Sequence, residues 1–414
     1  MRRLVALTIA MGLVVAACSP GGAPILANPP APRPSVPPPT APPAPVRDPL
    51  PVVLPRDDGP HDRLTEWWYY TGHLIVPAPK HRGGDVIEPQ RFGFEFVIFR
   101  AERGSFPTTW ASHLAITDET AGTFRYAQRL EVGEAVDRSP RDDDDTPTGF
   151  DLSLTGTDPT DPSTFARQPW SMSGSDGVDR VSASIDLAEA SAHGTMPIRL
   201  ELSLESRKPP ALHDRDGWID FGPGGGSYYY SRTDMAAEGR LTIGDDTYPV
   251  VGQAWFDHQW GDFISVGGGG WDWFAVNHDD GTDVTLSLVR DAEGSYPLIY
   301  GTLVRPDGTT KHLERDAFTV RTTARWTSPT TGATYPSGWS IDIPAEHLSF
   351  DLTPTVAAQE LDTRATTGVV YWEGSQEVRV RRGPRDMAEA GGQAYVELTG
   401  YAPSGPMPTP SLAP

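Results

Sequence analysis

The chain reads as an all-β protein, on three observations. Short segments of strand length alternate or run apolar along it, turn signals separate them, and no long stretch repeats apolar residues at helical three-and-four spacing. The strand-like runs are RFGFEFVIFR (residues 91–100), DLSLTG (151–156), VSASIDL (181–187) and IRLELSLES (198–206). DVTLSLVR (283–290), EVRV (377–380) and AYVELTGY (394–401) continue the pattern. Asp216-Gly217, Asp280-Gly281 and Pro306-Asp307-Gly308 punctuate it, because glycine takes positive φ freely and aspartate bonds its own backbone in turns. Many short strands at regular turn spacing indicate sandwiches or barrels.

The first residues concern location. MRRLVALTIAMGLVVAAC has a basic start (Arg2, Arg3), an apolar run too short to span a bilayer, and a small-residue site ending in Cys18. Cys18 is the only cysteine in 414 residues and stands where lipidation of an exported lipoprotein requires it. The expectation is a signal over residues 1–18 and an exported, cell-envelope protein anchored to a membrane through Cys18. Residues 19–55 hold fifteen of the 42 prolines and cannot bury apolar surface, so they are expected to form a semi-rigid tether. The remainder divides into an expected N-terminal domain (56–230) and C-terminal domain (231–405), cut near Ser231 after the glycine-rich FGPGGGSYYY. A net charge of −21 argues against nucleic acid and anionic headgroups as partners.

Two segments place acids and imidazole among aromatics: VGQAWFDHQWGDF (251–263) and WDWFAVNH (271–278). Period-two geometry puts Phe256, His258 and Trp260 on one strand face and Trp255, Asp257 and Gln259 on the other. Asp272 falls with Phe274 and Val276, opposite Trp271 and Trp273. Glu66 aligns with Trp68 and Tyr70, and Glu95 with Val97 and Phe99. A carboxylic acid among apolar groups keeps its proton at neutral pH, and tryptophan faces attract cations. Such groups either do acid–base chemistry or cap structural hydrogen bonds. Asp257 in particular is read either way, as a catalytic candidate or as a residue that holds the fold. His61, His73 and His113 lack metal-ligand spacing, so no metal is expected. No Gly-x-Ser-x-Gly elbow appears, and the glycine run 267–270 reads as a loop at a pocket mouth.

Five motifs in order carry a family resemblance: GPHDRLTEWWYYTGHL with FGFEFVIFR, SYYYSRTDMAAEGRL, VVGQAWFDHQWGDF, GWDWFAVNHDDG, and YWEG with AYVELTGY. Together, from about residue 59 to residue 401, they resemble the carotenoid 1,2-hydratase (hydroxyneurosporene synthase, AttH-like) family. The resemblance implies two lipocalin-like antiparallel β-barrel domains packed together. It also implies cofactor-free addition of water to a terminal C=C bond of a lipophilic unsaturated, isoprenoid-like molecule, or a related cyclisation. The family's His-x-Trp step with a downstream aspartate is matched by His258, Trp260 and Asp272, the catalytic candidates beside Asp257. The expected substrate-binding residues are Glu66, Trp68, Tyr70, Glu95, Phe256, Trp271 and Trp273. The partners expected are a lipophilic small molecule and, through the anchor, the membrane. Two other readings stand beside the enzyme: a non-catalytic carrier of a lipid or polyene, and a structural envelope protein.

Overall fold

A computed structural model describes residues 48–77, 89–156, 167–192, 195–263, 268–381 and 389–402. The signal, Cys18 and the tether up to residue 47 lie outside the described residues. One compact unit runs from Pro49 onward. Leu50 N–H donates to the Tyr228 hydroxyl at 2.7 Å and Val53 N–H to Asp57 Oδ2 at 2.6 Å. The tether expected to reach residue 55 therefore gives way to packed chain by Pro49, where backbone donors find partners.

The strands are β1 (Thr65–Ile75), β2 (Arg91–Arg103), β3 (Phe106–Asp118), β4 (Thr123–Val132), β5 (Phe150–Leu154) and β6 (Trp170–Ser175). They continue with β7 (Val178–Ile185), β8 (Ile198–Ser206), β9 (Ala211–Leu212), β10 (Trp218–Asp220), β11 (Gly225–Ile243) and β12 (Asp246–Phe263). These twelve form one antiparallel sheet in the order β4-β3-β2-β1-β12-β11-β8-β7-β6-β5, with β9 and β10 on β11. The edge strand β4 returns beside β5 and β7, so the sheet is a nearly closed barrel. Trp68, Phe94, Phe96, Trp170 and Phe256 fill its interior.

The second sheet uses β13 (Gly268–His278), β14 (Asp283–Asp291), β15 (Leu298–Val304), β16 (Thr310–Leu313) and β17 (Thr319–Thr322). After the small hairpin β18 (Arg325–Thr327) and β19 (Thr334–Pro336) come β20 (Trp339–Ile343), β21 (Leu348–Pro354), β22 (Glu360–Asp362), β23 (Val370–Val380) and β24 (Glu389–Thr399). Its order is β16-β15-β14-β13-β24-β23-β21-β20-β17, with β22 on β23. Phe274, Trp339, Phe350 and Trp372 make its core. The all-β, lipocalin-like architecture of two antiparallel sheets is thus the observed one.

The chain changes sheet between Phe263 and Gly268. The boundary expected near Ser231 falls inside β11, because the glycine-rich stretch before it does not end a domain. It opens a 19-residue strand that lies along β12 and β8. The glycine run is likewise not all loop. Gly270, at φ +96°, sits where a Cβ would meet Thr399 O at 2.4 Å, and the β13–β14 register shifts between Gly268 and Gly270. Only glycine allows that bulge and that close approach.

A third cluster explains the doubled aromatics. Tyr69, Val97 and Trp255, on the outer face of the first sheet, pack against Trp273, Ala275 and Tyr395 of the second. Strands β1, β2 and β12 are therefore buried on both faces, which accounts for near-continuous rather than alternating hydrophobicity. Polar ties pin the two sheets together. Lys208 Nζ lies 2.5 Å from Asp283 Oδ2, Asn277 donates to Thr233 O at 2.8 Å, and Thr117 donates to Gln359 at 2.6 Å.

Candidate active site between the sheets

The alternation of β12 sorts its side chains into two interiors. Facing the first barrel are Phe256, His258 and Trp260; facing the second sheet are Trp255, Asp257 and Gln259. The register sets Glu66 opposite Trp260 and Trp68 opposite His258 on the barrel side. On the other side, Tyr69 lies opposite Asp257 and Trp67 opposite Gln259.

On the outer side, between the sheets, lies a cavity of about 120 Å³. Trp67, Tyr69, Phe99, Tyr229, Trp271 and Trp273 give it aromatic walls, and Glu95, Asp257, Glu373 and Glu397 line it as well. Glu95, Asp257 and Glu373 are buried and Glu397 is half-buried, with no cation among the lining residues. Burial pushes Glu95 up to about 8, Glu397 up to about 7 and Asp257 up to about 6. Glu373 is raised well above the ordinary carboxyl range, by burial first and then by Glu95 and Glu397. Glu95 Oε1 accepts from the Tyr371 hydroxyl at 3.0 Å, and Glu373 Oε1 accepts from Tyr69. The second oxygen of each, Oε2, is buried with no protein partner. A neutral acid whose O–H is not held by the protein can give its proton to a guest.

Asp257 differs from these. It accepts from Tyr229 at 2.5 Å, from Trp255 Nε1 at 2.7 Å and from Ser231, while Trp273 Nε1 donates to the Tyr229 oxygen at 3.0 Å. Its oxygens are committed to tying β11 and β12 to β13.

Of the expected site residues, Glu95, Asp257, Trp271 and Trp273 line the cavity. Glu66, Trp68, Tyr70, Phe256, His258 and Trp260 do not: they belong to the barrel interior on the other side of the same sheet. There, Glu66 Oε1 lies 2.7 Å from His61 Nδ1 and 2.9 Å from His258 Nε2. His61 stacks on Trp260 at 4.0 Å, and His258 stacks on Trp68 at 4.7 Å. Asp272 lies apart from both groups, at 3.0 Å from the Tyr401 hydroxyl and 3.2 Å from Arg290. His258 and Asp272 therefore share no cavity, because each points into the core of its own sheet. Sequence reasoning missed Glu373 and Glu397. Their signal is present in YWEG and YVELTG, where a lone acid follows or interrupts apolar strand residues.

The site this β fold builds is an acid-lined aromatic cavity between two antiparallel sheets. The chain belongs to the AttH-like family, whose model matches residues 45–401. It is similar to an AttH homologue from Nitrosomonas europaea at 27% identity and TM-score 0.69, covering 87% of this chain and all of that one. Kievitone hydratase from Nectria haematococca shares the fold at 16% identity and TM-score 0.53, over 84% of this chain and 93% of that one. CghA does so at 14% identity and TM-score 0.50, over 81% and 88%. No curated protein sequence matches the chain.

Proposed function

We propose that the chain is a cofactor-free enzyme of the hydro-lyase type that binds one end of a lipophilic, unsaturated, isoprenoid-like molecule between its sheets and hydrates or cyclises it. The observation that carries this reading is the pair Glu95 and Glu373: two buried, raised-pKa acids, each with an unpartnered oxygen, in an aromatic cavity. The membership in the AttH-like family and the likeness of fold to a hydratase are in keeping with it.

The chemistry balances without a cofactor. A protonated carboxyl adds its proton to the less substituted carbon of the terminal C=C bond, leaving a carboxylate and a tertiary carbocation on the other carbon. The faces of Trp67, Trp271 and Trp273 stabilise that cation by roughly 2 kcal/mol when desolvated. Water then bonds to the cation and loses its second proton to a cavity carboxylate, so that one water is added overall. In cyclisation a second C=C of the same molecule takes the place of water, and the departing proton returns to the carboxylate.

The cavity of about 120 Å³ is below the roughly 300–1,000 Å³ that encloses a whole drug-sized ligand. It therefore suits one terminus of a long chain, with the half-buried Trp67, Phe99, Phe221 and Phe263 around it. Lipidation at Cys18 would hold the cavity near a membrane, where such molecules reside. Incubation of the purified chain with acyclic isoprenoids of increasing length, followed by mass spectrometry, tests the reading. Gain of one water, or a cyclised isomer, is expected. Binding without conversion across the set would leave a carrier.

A further inference from the structure

We propose that His61, Glu66 and His258 form a binding site for a divalent transition metal of the zinc type in the first barrel, separate from the cavity between the sheets. Two imidazole nitrogens and a carboxylate oxygen are the donor set of an open zinc site, which keeps its fourth position for water or a guest. Their donor atoms all lie within 4.8 Å of one another. Glu66 Oε1 is the shared corner, at 2.7 Å from His61 Nδ1 and 2.9 Å from His258 Nε2. A metal bonded at about 2.0–2.2 Å to each donor would take the place of the hydrogen bonds among the three groups and displace the protons they now share.

The donors are held where they are. Glu66 Oε2 is occupied by the His61 backbone N–H at 2.9 Å, which leaves Oε1 for the imidazoles. The His61 ring lies flat on Trp260, 4.0 Å away and 2° from parallel, and the His258 ring has Trp68 and Trp260 each at 4.7 Å. Side chains whose rotamers are locked by packing lose little entropy on ligation. The second nitrogen of His61, Nε2, is 3.5 Å from Asp57 Oδ1, the outer carboxylate that orients a metal-bound imidazole. Glu66 and His258 are fully buried, while the His61 side chain is 19% exposed and gives an ion its way in.

The sequence could not pair these residues. His61 and Glu66 are five positions apart, whereas His258 arrives 192 positions after Glu66 through the β1–β12 pairing. The expectation of no metal rested on His61, His73 and His113. The structure sends His73 to the Ala394 carbonyl at 3.0 Å and His113 to Tyr371 at 2.7 Å, and leaves His61 with a different pair.

The test is titration of the purified, chelator-treated chain with Co²⁺ and then Zn²⁺, followed by visible absorption and by thermal unfolding. One equivalent of Co²⁺ should bind with a low-symmetry d–d band, Zn²⁺ should displace it, and either ion should raise the melting temperature. His61→Ala, at the partly exposed position, should abolish the band and the thermal shift in a folded protein, and Glu66→Gln should do the same. Asp57→Asn should weaken binding by about 10–100-fold with one equivalent retained. Asp272→Asn, outside the site, should bind as the wild type does. Absence of saturable one-equivalent binding in folded wild type would overturn the proposal, and so would undiminished binding by His61→Ala. Neither result touches the cavity chemistry, which uses the other face of the sheet.

Discussion

Asp257 and His258 are adjacent in sequence and lie on opposite sides of one wall. His258 Nε2 sits 2.9 Å from Glu66 inside the first barrel, while Asp257 accepts the Tyr229 hydroxyl at 2.5 Å between the sheets. Strand alternation thus gives β12 two environments, and replacements at these neighbours should have unrelated effects.

Asp257→Asn should destabilise the fold. The carboxylate accepts from Tyr229, Ser231 and Trp255, and an amide nitrogen in place of one oxygen leaves a buried donor facing donors. Each such unsatisfied group costs about 1–3 kcal/mol. Denaturant unfolding should show a lower midpoint at unchanged slope; an unchanged midpoint would show that these bonds do not hold the sheets together.

Stability should fall as pH rises from about 7 to 9, above the pH at which the unfolded histidines release their protons. Glu95 and Glu397 have folded pKa values of about 8 and about 7, above the ordinary carboxyl value of 4.5. Between those limits the folded state holds protons that the unfolded state has released. Their contribution is therefore complete below the unfolded pKa and is lost as pH passes through 7 and 8, at about 1.4 kcal/mol per unit of difference. Melting temperatures across this range should decline, and Glu95→Gln should flatten the decline. A rise with pH would contradict the assignment of neutral acids to the cavity.

Trp271→Ala should weaken retention of an apolar guest while leaving the fold intact. Trp271 is half-buried and lines the cavity, unlike the fully buried Trp68 and Trp372 of the two cores. Fluorescence titration with an acyclic isoprenoid should show at least about tenfold weaker binding, the scale of losing part of a buried aromatic contact. Trp68→Ala should instead lower stability by about 3–5 kcal/mol, as truncation of a core aromatic does.

Cys18→Ser should abolish lipidation, because the chain has no other thiol. Metabolic labelling with a fatty-acid probe checks this, and equal labelling of wild type and variant would end the lipoprotein reading.

The fold was legible because strands and turns are local signals. RFGFEFVIFR and IRLELSLES announce β2 and β8, and Asp280-Gly281 marks the β13–β14 turn. The faces of β1, β2, β12 and β13 were also legible, since period two assigns them without knowledge of neighbours. What each face meets was not. Glu66 and Glu95 both sit among apolar residues in sequence, yet one is answered by two imidazoles and the other by Tyr371 and a cavity. That difference comes from pairing β1 with β12 and stacking β2 against β23, contacts between distant parts of the chain. Glu373 escaped notice for the same reason, as its partner Tyr69 belongs to the other sheet, whereas Glu397 meets Trp271 within its own sheet.

In the proposed reaction a cavity carboxylic acid protonates a C=C bond. The most direct measurement is conversion of an acyclic isoprenoid in D₂O by wild type, Glu95→Gln and Glu373→Gln, with deuterium located by mass spectrometry. Wild type should place one deuterium on the less substituted carbon of the former C=C bond, and the rate should be lower by about 10²–10⁴-fold in at least one variant that still binds the substrate. Deuterium incorporation at the wild-type rate in both variants would contradict it.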